Sequence, residues 1–157
     1  MAINSRAKGA SAEREVAELV FDELGVRLKR NLEQYRADEQ GDLTGLDGWT
    51  LEVKHYAKAS DYKPEWWRQV TAAANRNKEM PALFWRGNRQ AWRVTVRLGS
   101  INSDSSTDLF DEPVTLSFKA WAMLVRERSS QSFLTNLTSQ SLVGQSDAES
   151  ISITRIE

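Results

Sequence analysis

The chain has 157 residues, a net charge of −1 and no cysteine; that is enough for one domain with its own core, with no sulfur for disulfides, thiolate metal sites or a thiol nucleophile. A single histidine leaves oxygen ligands to carry any metal chemistry. There is no run of about 18 apolar residues and no apolar stretch with a small-residue cleavage site at the amino terminus, so no membrane segment and a cytoplasmic location are expected.

In chain order, Ala12, Val16, Leu19, Val20 and Leu24 recur at helical spacing over Ala10 to Leu24, with Gly25 as the stop. Val26 to Leu32 reads as a strand and Glu33 to Gly41 as a polar loop. Asp42-Leu43 and Trp49 to His55 read as two antiparallel strand pieces joined by a turn at Asp47-Gly48. Pro64 opens a second helix with Trp66, Trp67, Val70, Ala73 and Ala74 giving an apolar face, running to about Lys78 and ended by Pro81. Ala82 to Trp85, Ala91 to Leu98 and Val114 to Phe118 follow as strands, and Ala120 to Arg128 as a short helix. Ser129 to Ser150 is rich in Ser, Gln, Thr and Asn, which predicts a flexible extension. The expected organisation is a domain over residues 1–128, its motif-bearing core at 6–98, and an extension over 129–157.

The chemistry-bearing stretch is Gly41-Asp42-Leu43 followed by Glu52-Val53-Lys54. Strand alternation puts Glu52 and Lys54 on one face, Leu51, Val53 and His55 on the other, and a hairpin brings Asp42 near the first. Two converging carboxylates make a hard-oxygen site suited to Mg²⁺, with the Val53 carbonyl as a further oxygen and Lys54 as a fixed positive charge. Such a cluster has what phosphodiester hydrolysis needs: an activated water and stabilisation of charge on the phosphoryl oxygens. On spacing alone the same residues also fit a solvated strand face and a turn aspartate. On the first helix, Glu13 falls within the arc of Ala12, Val16, Val20 and Leu24, where an acid needs a cation or metal partner, unless it serves the helix dipole near the start.

Lys8-Gly9-Ala10-Ser11-Ala12-Glu13-Arg14-Glu15, the apolar helix after it, Gly41-Asp42-Leu43 and Glu52-Val53-Lys54 together resemble the archaeal-type Holliday junction resolvases and their phage-encoded relatives, in the PD-(D/E)XK nuclease superfamily. The resemblance covers about Arg6 to Leu98. It implies an α/β fold, a restriction-endonuclease-like core with a mixed central sheet flanked by helices. It further implies a Mg²⁺-dependent endonuclease, with Mn²⁺ as a substitute, acting on four-way junctions or other branched DNA as a homodimer in a bacterial or phage-infected cell. Glu13, Asp42 and Glu52 would surround the metal, Lys54 would assist, and Arg14 would contact DNA or the active site. No proline precedes Asp42, the serine-containing loop of archaeal members is replaced by Glu33 to Gln40, and residues 99–157 have no counterpart.

Gln69, five residues after Pro64, stands where several branches of the superfamily carry a glutamine, which implies a supporting role; a solvated helix residue is the alternative. His55, on the opposite strand face, reads as structural or surface. Residues 1–98 hold 17 Lys+Arg against 14 Asp+Glu and residues 99–157 hold 4 against 8, so the basic part is the DNA-facing candidate. Lys8, Arg14, Arg30, Arg36 and Lys58 flank the site and are candidate phosphate contacts. Two other functions share this core: restriction-type or repair cleavage, and DNA binding without catalysis.

Overall fold

A computed structural model describes residues 5–31, 41–101 and 110–146. The first helix, α1 (Ser5–Leu24), starts five residues earlier than its apolar spacing indicates. Ala12, Val16 and Val20 are all but fully buried along one side, each valine contributing about 1.5–3 kcal/mol by leaving water. The helix stops where expected: Gly25 takes φ 71° and its N–H donates to the Phe21 carbonyl at 2.8 Å, a left-handed cap that glycine adopts without strain.

Among the described residues six strands follow the chain order across one sheet: β1 (Lys29–Arg30), β2 (Leu43–Thr44), β3 (Trp49–Tyr56), β4 (Met80–Gly87), β5 (Arg93–Arg97) and β6 (Pro113–Ser117). All neighbours pair antiparallel except β3 and β4, which run parallel from Trp49↔Met80 to Tyr56↔Gly87. Parallel neighbours need a crossover, and α2 (Pro64–Asn77) supplies it. The strand expected over Val26 to Leu32 is only two residues long, and the loop containing Arg36 lies outside the described residues.

Pro81 does not end α2. Lys78 does, in the left-handed conformation at φ 58°, while Pro81 is buried inside β4 opposite Thr50. The β4–β5 register begins one residue later, at Ala82↔Val96, so the missing N–H of proline interrupts no pairing on that side. Trp66 and Val70 of α2 pack with Ala59, Leu83 and Trp85 over one sheet face. On another side of the sheet, Trp121 meets Phe84 and Trp49 edge-on, at centroid distances of 4.8 and 5.8 Å.

A four-residue helix, α3 (Leu98–Ile101), separates β5 from β6. The helix expected over Ala120 to Arg128 is much longer, α4 (Phe118–Ser146). The chain divides into two compact units, residues 1–122 and 123–157. In the second, the Ser129, Ser130 and Thr135 hydroxyls each donate to a carbonyl four residues back. The helix thus satisfies these three hydroxyls, which lie in a stretch that reads as irregular in the sequence.

Candidate active site

Asp42 reaches β3 because the residue before it has no side chain. A Cβ on Gly41 would lie 2.2 Å from the Leu51 carbonyl oxygen, a close approach open only to glycine. The chain then enters β2, whose Leu43 is in register with Leu51. Asp42, 8% exposed, accepts a 2.7 Å hydrogen bond at Oδ2 from the Val53 N–H, which fixes the carboxylate beside the Glu52-Val53-Lys54 step.

Glu52 is 3% exposed, and its Oε1 accepts two hydrogen bonds, from Lys54 Nζ at 2.6 Å and from Gln69 Nε2 at 2.9 Å. The alternation of β3 therefore brings Glu52 and Lys54 together on the face that α2 covers. Burial raises the Glu52 pKa to about 7, the Asp42 charge adds to the rise, and Lys54 opposes it. For Lys54, burial pulls the pKa down, but the Glu52 carboxylate outweighs it and the net shift is upward. Lys54 therefore stays an ammonium at neutral pH, while Glu52 gains from any further positive charge brought to it.

The donor set fits a divalent cation. Mg²⁺ binds through one or two carboxylates while keeping waters and phosphate oxygens, and two such groups come from Asp42, just before β2, and Glu52 of the adjoining β3. The third expected carboxylate is elsewhere engaged: Glu13 Oε2 pairs with Arg30 Nε of β1. Among the described residues no group of three His, Cys, Asp or Glu side chains stands close enough together to hold a metal ion. Nor is Glu13 a helix-dipole residue, because α1 begins at Ser5 and has no acid in its first turn.

Of the other expected residues, Gln69 joins the cluster directly through Glu52. Lys8 donates a 3.0 Å hydrogen bond to Asn88, and Arg14 and Lys58 are exposed. Arg36 lies outside the described residues. His55 faces away from Glu52, edge-on to Trp92; its pKa is lowered by burial first, then by Lys8 and Arg86. Gly41 was read within the Gly41-Asp42-Leu43 stretch, but its close approach to Leu51 was not; Tyr56, which continues the alternation of Glu52 and Lys54 by one further step, went unread.

The model of a family described as "phage putative PDDEXK endonuclease" matches residues 4–142. No curated protein matches the sequence. Among solved structures the chain is similar to Hjc, a Holliday junction resolvase of the hyperthermophilic archaeon Archaeoglobus fulgidus, with a TM-score of 0.50 and 16% identity over 73% of this chain and 95% of that one. The similarity shows a shared restriction-endonuclease-like fold.

Proposed function

Because the chain belongs to the phage PDDEXK endonuclease family, we propose that it hydrolyses phosphodiester bonds in branched DNA of the four-way-junction kind, using Mg²⁺ with Mn²⁺ as a substitute. The observation that carries this reading is the meeting of two buried carboxylates and an ammonium on one backbone step, Asp42 on the Val53 N–H and Lys54 on Glu52.

Asp42, Glu52 and the Val53 carbonyl are the residues that would hold the cation, with Glu13 in support. The bound cation supplies Lewis acidity and a water of lowered pKa. The chain's own residues supply the rest. Lys54 brings a fixed positive charge to stabilise negative charge developing on the phosphoryl oxygens. Gln69 and Lys54 both hydrogen-bond Glu52 Oε1, which fixes the orientation of that carboxylate. Lys8, Arg14, Arg30, Arg36 and Lys58 are the proposed phosphate contacts. A homodimer would set two such sites against the two strands of a pseudo-symmetric junction. No described helix is long and apolar enough to cross a membrane. The proposed setting is the cytoplasm of a bacterial or phage-infected cell.

The test is cleavage of end-labelled four-way junctions, flaps and linear duplexes of shared sequence, with Mg²⁺ and with Ca²⁺, by the parent chain and by Asp42→Asn and Glu52→Gln. The expected result is Mg²⁺-dependent cutting of junctions over duplex, reduced about 10²-fold or more in each variant with DNA binding retained. Equal cutting of linear duplex would point to a restriction-type or repair task. Binding without metal-dependent cutting would reduce the protein to a non-catalytic DNA-binding module. Sedimentation at assay concentration checks the dimer, which an active monomer would rule out.

A further inference from the structure

Glu52, Lys54 and Tyr56 stand at alternate positions of β3 and share one sheet face. Unlike the two residues before it on that face, Tyr56 is open to solvent, with 40% of its surface exposed at the end of the strand. Its ring is nonetheless held. It stacks on Trp66 with centroids 4.6 Å apart and planes inclined by 25°, and Trp66 is itself 5% exposed within the α2 core cluster. Lys63 Nζ, just before α2, lies 5.2 Å from the Tyr56 ring centroid and 5.5 Å from that of Trp66. A ring backed by a buried indole, partly open to solvent and accompanied by a cation, has the attributes of a base-stacking platform: held in place, apolar and attractive to a phosphate-bearing strand.

The position of this platform matters as much as its chemistry. Two residues along a strand span about 7 Å, so Tyr56 lies within the reach of a nucleotide adjoining a phosphate at Lys54. We propose that Tyr56 receives an unstacked nucleobase next to the scissile phosphate, with Lys63 on a flanking phosphate, so that this face selects DNA with a disrupted base stack. In a continuous duplex each base has both faces covered by its neighbours, and stacking on Tyr56 would require breaking that stack first. At a branch the stack is already interrupted. The inference rests on the nuclease reading and names the substrate feature that the same site would select.

The test uses the full chain with Ca²⁺ and two DNAs, a four-way junction with 2-aminopurine at the branch and a linear duplex carrying the same base, whose fluorescence falls on stacking. Binding of the junction is expected to quench the probe with the parent chain, Tyr56→Phe and Tyr56→Trp, and not with Tyr56→Leu. Tyr56→Leu should also lose about tenfold in junction affinity with duplex affinity unchanged. Quenching that survives in Tyr56→Leu, or is lost in Tyr56→Phe, overturns the proposal. Since Tyr56→Leu also uncovers Trp66, the parent chain is irradiated on a junction carrying 5-iododeoxyuridine at the branch. A cross-link in the peptide containing Tyr56 is expected, and cross-links confined to other peptides overturn the proposal. Absence of Mg²⁺-dependent cleavage while quenching and cross-link persist would overturn the nuclease reading alone.

Discussion

Gln69 Nε2 lies 2.9 Å from Glu52 Oε1, so the crossover helix α2 is tied to the acid at the centre of the candidate site. The amide donates to the same oxygen that Lys54 reaches, and both bonds favour the ionised carboxylate. Gln69→Ala is expected to lower junction cleavage by about tenfold and raise the Mg²⁺ concentration needed for half-maximal rate, with little change in melting temperature because Gln69 is an exposed residue of α2. Gln69→Glu should be worse than Gln69→Ala, since it places a third negative charge beside Asp42 and Glu52. A Mg²⁺ titration of initial rates across the two variants measures this. Equal rates in parent and Gln69→Ala would show that α2 only covers the site.

Gly41→Ala is expected to remove activity through the backbone. The added Cβ would meet the Leu51 carbonyl oxygen at 2.2 Å and Leu51 backbone atoms at 2.9 Å, none of which is the end of a flexible side chain. The loop must therefore shift away from β3, carrying Asp42 off the Val53 N–H. A stability loss of about 1–3 kcal/mol and a cleavage loss comparable to that of Asp42→Asn are the expected outcomes, by thermal melting and by junction assay. Retention of both would mean that the close approach is not needed to seat Asp42.

The local parts of the site were legible in the sequence because they depend on strand periodicity and turn chemistry. The alternation of Glu52, Lys54 and the oppositely directed His55 follows from period two, and Gly48 takes φ 78° at the turn before β3. What depends on distant partners was not legible. Glu15 lies outside the apolar arc of α1 and reads as solvated, yet it accepts hydrogen bonds from Arg86 Nη2 at 2.6 Å and Trp92 Nε1 at 3.0 Å, residues 71 and 77 positions away. Glu13 reads as a metal ligand, yet its described partner is Arg30. The length of α4 was hidden because Ser and Thr disfavour helix interiors on average, whereas here their hydroxyls bond the preceding turn.

The raised Glu52 pKa makes metal-free stability depend on pH. Glu52 titrates near 4.5 when unfolded and at about 7 in the fold, chiefly because it is buried. Between those values the folded chain holds a proton that the unfolded chain has released, so stability falls as pH rises through this window and levels off above it. Denaturant melts in EDTA should show parent stability declining by the order of 1–3 kcal/mol between about pH 4.5 and 7 relative to Glu52→Gln. Mg²⁺ should recover part of the loss at pH 8 in the parent and not in Glu52→Gln. A flat pH profile for the parent relative to the variant would show that Lys54 compensates the buried charge fully.

Three of the four glutamates of α1, Glu13, Glu15 and Glu18, separate stability from activity. Glu18 is exposed, and Glu18→Gln is expected to leave both melting temperature and cleavage unchanged. Glu15→Gln breaks the ion pair with Arg86 and weakens one of two hydrogen bonds, but the carboxylate is 41% exposed and solvent screens it. A loss of about 1 kcal/mol, with the rate per folded molecule unaltered, is expected. Glu13→Gln keeps an oxygen for Arg30 and removes the charge. If Glu13 supports the bound cation, turnover falls by about tenfold or more while the melting temperature barely moves; if its work is confined to holding Arg30 and β1, melting falls and turnover per folded molecule stays. Arg30→Gln distinguishes these further, because it releases Glu13 from its ion pair: a supporting role predicts retained or tighter Mg²⁺ dependence alongside weaker DNA binding. Junction cleavage, Mg²⁺ titration and melting across these four variants decide it, and parental turnover in Glu13→Gln would remove Glu13 from the proposed active site.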